Sequence, residues 1–278
     1  MKLKTITKTI KAPIWKQAPS YKSNRPAALF LTALAAGFLN GCGGRLASPP
    51  PKSVVVVLFD MSSSTAKPAV RQLYRASFGT VLAAMSGGDR LRAYTVTGDT
   101  QATSMLRASE DFPTYDPLVD NLDQAKRKLA QARRDAATGT DAMLCQVPPA
   151  RGTDLLNAFS DAASIFAGSP NDSAPVKELI VFSDMVHEAG RDDFFYEDLT
   201  DARDAQIISH LRASAELPSL KGVRVVVVGA GADPIGVIGP DKLAQIKRFW
   251  QSYFTACGAT LVPSDYGTAL PDDATAGL

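Results

Sequence analysis

The chain of 278 residues has little of what most enzymes are built from: two histidines and three cysteines in all. His187 and His210 stand apart, and no nucleophile motif accompanies either. No Gly-x-Ser-x-Gly elbow and no Walker loop ending in Gly-Lys-Ser occurs, which excludes the common hydrolase nucleophile and P-loop phosphate binding. No apolar run reaches the roughly 20 residues a bilayer span needs. The stretch Ala27 to Leu39 comes nearest and falls short. No acid precedes residue 42, whereas Lys2, Lys4, Lys8, Lys11, Lys16, Lys22 and Arg25 do. A basic segment followed by a short apolar one has the layout of a secretory signal, here residues 1–41.

That segment ends Leu39-Asn40-Gly41-Cys42, which resembles a bacterial lipobox with Cys42 as the lipidated first mature residue. An ordinary signal peptide or a signal anchor with an incidental Cys is the alternative. Residue 43 is Gly, not Asp. By analogy with Gram-negative sorting, that favours a cell-envelope protein on the outer membrane, facing the periplasm. Residues 42–52, with Gly43, Gly44, Ser48 and the run Pro49-Pro50-Pro51, read as an extended tether without a packable face. The charge balance then inverts. The whole chain carries 30 basic and 28 acidic residues, net +2. Without the seven basic residues of the signal it has 23 against 28, net −5. A nucleic-acid footprint is therefore absent.

Residues 53–265 have the length of one α/β domain with a full core, leaving 266–278 as a C-terminal tail. The remaining cysteines are Cys145 and Cys257. An oxidising compartment favours pairing them. Topology opposes it, because Cys145 lies near the loop at Thr153 while Cys257 closes a helix ending at the opposite edge. A loop from Gly139 to Gly152 would have to descend the whole domain to bridge the two.

Val54-Val55-Val56-Val57-Leu58-Phe59 reads as a buried parallel strand. Val70, Leu73, Tyr74, Phe78, Val81 and Met85 recur at helical spacing, with Pro68 in the first turn and Gly87-Gly88 as the stop. Leu118, Leu122, Ala125, Leu129 and Ala132 mark another helix. Leu155, Phe159, Ala163 and Phe166 mark the next, and Leu179 to Phe182 a further strand. A helix over 205–215 precedes the strand Val223 to Val228. Leu243, Ile246, Phe249, Trp250, Tyr253 and Phe254 give a last apolar helix, and Ala259 to Val262 the last strand. Gly229-Ala230-Gly231 is an ordinary strand exit. This alternation predicts a doubly wound, mainly parallel sheet flanked by helices.

Directly after the first strand stand Asp60-Met61-Ser62-Ser63-Ser64. The strand delivers one carboxylate and alternating hydroxyls to the sheet edge where ligands bind in open α/β folds. Such oxygen donors suit a hard divalent cation. The Asp-x-Ser-x-Ser pattern resembles the first motif of the von Willebrand factor type A domain. Arg151-Gly152-Thr153-Asp154 matches that family's second motif, and Ile180-Val181-Phe182-Ser183-Asp184 its third, in the family's order. Gly88 to Val96 also resembles the family's second strand with its Gly-Asp entry, and the resemblance implies that Thr103 to Arg107 is the family's short antiparallel edge strand.

The resemblance implies a Rossmann-like fold and a metal-ion-dependent adhesion site. Its ligands would be Asp60, Ser62, Ser64, Thr153 and Asp184. The ion would be Mg2+, or another divalent cation such as Mn2+ or Ca2+, with one position open to an acidic side chain of a protein partner. The sequence departs from the family after Asp184, where Gly is common and Met185 stands. A bulkier turn there narrows the site or makes Glu188 a rival ligand. No Lys or Arg stands in the first or third motif. His187 reads as a solvated loop residue, and Arg191 to Asp198, rich in acids and aromatics, as a second contact surface. The expected function is metal-dependent protein–protein interaction, not catalysis. A phosphatase-like hydrolase using the same acidic edge is the alternative, although Ser62 occupies the place where such an enzyme wants a second Asp. A tethered structural domain with an inactive site is the third reading.

Overall fold

The computed structural model describes residues 51–103, 106–146, 149–168, 170–231 and 238–278. Cys42, the signal segment and nearly all of the tether lie outside the described residues. No helix among the described residues is long and apolar enough to cross a membrane.

A six-stranded sheet runs in the order β3-β2-β1-β4-β7-β8. Its strands are β1 (Ser53–Asp60), β2 (Arg90–Val96), β3 (Leu106–Asp111), β4 (Val176–Phe182), β7 (Arg224–Val228) and β8 (Tyr266–Gly267). Only the β2–β3 pair is antiparallel; the others are parallel. A separate hairpin joins β5 (Glu188–Ala189) to β6 (Asp192–Asp193). The helices are α1 (Pro68–Ala84), α2 (Thr100–Thr103), α3 (Leu122–Gln146), α4 (Leu155–Ala167), α5 (Asp201–Ala213) and α6 (Pro240–Ala256). The chain is thus a doubly wound α/β domain with a mainly parallel sheet.

The central strands are buried on both faces, so alternate residues feed two cores. Val54, Val56, Leu58, Leu179, Val181, Val225 and Val227 pack with α4, α5 and α6. Val55, Val57, Phe59, Ile180, Phe182, Val226 and Val228 pack with α1 and α3. On the first face Phe159, Phe249, Trp250, Tyr253 and Phe254 form one aromatic cluster. The apolar spacing of α6 foretells that cluster.

Several expectations need correction. Ala259 to Val262 is not the last strand: only Thr260 bridges to Arg224, and the sixth strand is β8. Residues 266–278 are not a loose tail, since Tyr266 and Ala274 are buried and Leu270 and Leu278 pack against the second core. The domain therefore runs past residue 265. Residues 139–146 belong to α3 rather than to a loop. Leu118 precedes that helix and is almost fully exposed. Cys145 and Cys257 are both free thiols, one exposed and one buried.

Candidate metal centre

The C-terminal ends of β1 and β4 place Asp60 and Asp184 at one edge of the sheet, because the two strands are parallel neighbours in register. The backbone ties the Thr153 loop between them. Met61 N–H donates to Val96 O at 3.0 Å, and Ala150 N–H to Met61 O at 2.7 Å. Asp154 N–H donates to Thr97 O at 2.7 Å. Thr153 and Glu188 exchange both backbone hydrogen bonds, at 3.3 and 2.9 Å. Gly152 is required by this close approach. Its φ is +71°, and a Cβ there would meet the Glu188 carbonyl oxygen at 2.4 Å. Asp154 then caps α4, its side chain accepting from Asn157 N–H.

All five expected ligand residues thus lie on three loops stitched together by main-chain bonds. Asp60, Ser62, Thr153 and Asp184 are buried, and Ser64 is half-buried. Ser62 N–H donates to Asp60 Oδ1 at 2.8 Å, and Ser183 Oγ–H to Asp60 Oδ2 at 2.7 Å. The Ser62 and Ser64 hydroxyls are 3.0 Å apart. Val186 N–H donates to Asp184 Oδ1 at 3.1 Å. Burial, and then the charge of Asp184, push the Asp60 carboxyl up to about 7; the hydrogen bonds from Ser183 and Ser62 oppose this only partly. Two carboxylates are held together at a cost that a cation would relieve.

The donor set fits a hard divalent ion: carboxylate and hydroxyl oxygens only, from residues fixed by backbone bonds. It is not a cluster of His, Cys, Asp and Glu, and no group of three or more such residues that could hold a metal occurs among the described residues. Asp60, Ser62, Ser64, Thr153 and Asp184 would hold the ion, which would supply positive charge at the sheet edge. Above the serines opens a cavity of about 280 Å³ lined by Ser62, Ser64, Gly152, Glu188, Asp193 and Tyr196, among others. The hairpin β5–β6 brings Glu188 and Asp193 to its rim as cross-strand partners. Burial, then Asp193 and Asp184, raise the Glu188 carboxyl above its ordinary range.

Some site residues are not foreseen. Arg71 of α1 is buried beneath Asp60 and donates to its carbonyl oxygen at 3.2 Å and toward Met61 Sδ. A buried cation therefore does stand beside the first motif, although it holds the main chain rather than the carboxylate. Its only sequence signal is a charged residue on an otherwise apolar helix face. Tyr74, one turn on, is buried, and its hydroxyl has no hydrogen-bond partner among the described residues.

His187 is buried, not solvated. Its Nδ1 accepts from Leu155 N–H at the start of α4, which places the ring proton on Nε2. Burial lowers its pKa, with Asp154 and Asp192 opposing. Thr153 is likewise no surface hydroxyl. Met185 occupies a left-handed conformation, φ 67°, which Gly adopts more readily than any other residue. The strain is offset by full burial of its side chain and by Trp250 Nε1–H donating to its carbonyl at 2.8 Å. The acid–aromatic loop is partly structural: Phe194 is core, and Arg203 pairs with Asp192 and Glu197. Tyr196 remains exposed.

No protein-family model and no curated protein matches the chain. Among solved structures it is similar to a von Willebrand factor type A protein from Catenulispora acidiphila, at 14% identity and TM-score 0.39. That likeness covers 75% of this chain and 43% of the other, so the chain spans less than half its length. The manganese-loaded TRAP protein of Plasmodium vivax is similar at 13% identity and TM-score 0.45, over 82% of this chain and 72% of that one. An aerotolerance-related membrane protein from Bacteroides fragilis is similar at 12% identity and TM-score 0.42, over 81% and 94%. Likenesses at this level transfer no residue roles.

Proposed function

We propose that this is a lipid-anchored cell-envelope protein whose von Willebrand factor A-like domain binds a partner through a divalent cation. Mg2+, Mn2+ or Ca2+ would be held by Asp60, Ser62, Ser64, Thr153 and Asp184. The partner would be a protein offering an acidic side chain, and the anchor Cys42 in the outer membrane, facing the periplasm of a Gram-negative host. The observation that supports this reading most is the stitching of the three motif loops. Main-chain hydrogen bonds join these loops around a buried carboxylate raised first by burial and then by Asp184. The serine hydroxyls share the mouth with the carboxylates of Glu188 and Asp193, so hydrolysis at the same edge is the second reading.

The test is a pull-down from membranes with the full protein, with and without chelator. Chelation should release the partner, Mg2+ should restore it, and Asp60→Ala and Thr153→Ala should weaken capture. A partner retained through chelation and through Asp60→Ala sinks the metal bridge. Turnover of phosphate esters by the wild type, lost in Asp60→Ala, would favour the hydrolase instead.

A further inference from the structure

The edge of the sheet opposite the metal centre carries an apolar tip where the tether enters. Lys52 N–H donates to Gly88 O at 2.9 Å, Gly88 N–H to Phe112 O at 2.9 Å, and Phe112 N–H to Asp89 O at 2.9 Å. The chain entering from residue 51 is therefore bonded to the turn before β2, which is bonded to the end of β3. Within ten residues of Phe112 come Tyr115, Leu118, Val119 and Leu122, respectively 44%, 91%, 79% and 48% exposed. Together they hold most of the large apolar side chains exposed among the described residues.

This tip is built, not frayed. Asp116 Oδ1 accepts from Leu118 N–H at 2.9 Å, and Asp120 Oδ2 from Asp116 N–H at 2.8 Å. Asp120 N–H closes the turn on Asp116 O at 2.8 Å, and Asn121 Oδ1 caps α3. Both acids hold the turn, and Leu118 and Val119 are left outside it. Exposed charges of both signs flank the tip: Asp116, Asp120 and Asp123 beside it, and Lys52, Lys126, Arg127 and Lys128 farther out. Leu122 and Lys126, four apart, share a helix face.

We propose that this tip docks on the lipid surface to which the protein is anchored. Leu118 and Val119 would enter the acyl–headgroup boundary, and the basic residues would lie against lipid phosphates. The inference rests on lipidation of Cys42. From Cys42 to Lys52 the chain spans at most about 35 Å, and it joins the domain at the end that bears the tip, which puts the tip within reach of the membrane. The eight residues of β1 separate the two edges by about 23 Å. The docked domain therefore presents the metal centre away from the membrane, toward a partner.

The acylated full-length protein, reconstituted in phosphatidylethanolamine–phosphatidylglycerol vesicles with brominated acyl chains, reads this directly. Trp15 lies in the signal segment, and Trp250 is buried. In Leu118→Trp the introduced indole should lose most of its emission to the brominated lipid and shift to the blue. In Tyr196→Trp, at the metal edge, it should do neither. An unquenched indole in Leu118→Trp, on protein that floats with the vesicles and carries the acyl mass, overturns the docking and leaves the anchor standing. Protein without acyl mass that does not float ends the anchor reading and the docking together. A blue shift equal in brominated and plain vesicles, growing with protein concentration, makes a second copy the occupant and also overturns the proposal.

Discussion

Asp60→Asn should make the metal-free protein more stable and the metal-loaded one less so. In the absence of a cation, burial and Asp184 raise the Asp60 carboxyl from 3.8 to about 7. About three pKa units correspond to roughly 4 kcal/mol between the protonation states. The native state keeps a proton that the unfolded chain has already released. Stability therefore falls as pH rises from about 4 and is fully reduced above about 7. Asparagine removes the charge and keeps an oxygen for Ser62 N–H, but the bond with Ser183 must reverse direction, at a cost of about 1 kcal/mol. In chelator at pH 8 the variant should be more stable by roughly 1–3 kcal/mol, with the gap closing toward pH 4. For a domain of this size that is a rise in Tm of about 2–10 °C. Saturating Mg2+ reverses the order, because a concentration a thousand times Kd gives the wild type about 4.1 kcal/mol and the variant little. Thermal melts at pH 5 and 8, in chelator and in Mg2+, provide the measurement. A variant less stable than wild type in chelator at pH 8 refutes the electrostatic reasoning. An equal Mg2+ shift in both proteins refutes the site.

Met185→Gly should relieve about 1–2 kcal/mol of left-handed strain yet lose a fully buried side chain of greater worth. The expected net destabilisation is about 1–3 kcal/mol by urea titration, and a stabilised variant would show the side chain to be dispensable. Glu188→Gln removes a carboxylate from the rim of the cavity over Ser62 and Ser64. It should weaken Mg2+ about threefold to tenfold at low salt, read from the concentration dependence of the thermal shift; unaltered affinity would mean that the carboxylate does not feel the ion. A thiol reagent should alkylate Cys145 in the native protein and spare Cys257, whose thiol burial pushes up to about 12. Equal labelling on intact-mass analysis would contradict the packing of α6 against the sheet.

The parts legible in the sequence are those fixed by local pattern. β1, β4 and β7 are β-branched runs buried on both faces, and they have to form the centre of a parallel sheet. Since that sheet puts strand ends at one edge, Asp60 and Asp184 are adjacent whatever the loops do. Features that depend on contacts between distant segments stay hidden. β8 is two residues long and has no pattern of its own; it exists because Val227 and Val228 offer an unpaired edge. Nothing around His187 announces that its ring will accept from the first turn of α4. Leu118 fits the helical spacing of α3 but precedes its cap at Asn121, so periodicity places on a buried face a side chain that points to solvent.

The substitution at Met185 shows how local rule and site geometry are coupled. The turn after Asp184 needs a positive φ, and Gly would supply it freely. Methionine accepts the strain because its side chain joins the core while Trp250 holds its carbonyl. The chain leaving that turn is thereby fixed. Val186 N–H is aimed at Asp184, and Glu188 is paired with Thr153. The same exchange that brings the Thr153 hydroxyl to the edge also brings the Glu188 carboxylate to the rim. A cation held there would gain charge neutralisation within the chain, so the acidic partner proposed above would compete with Glu188 for it.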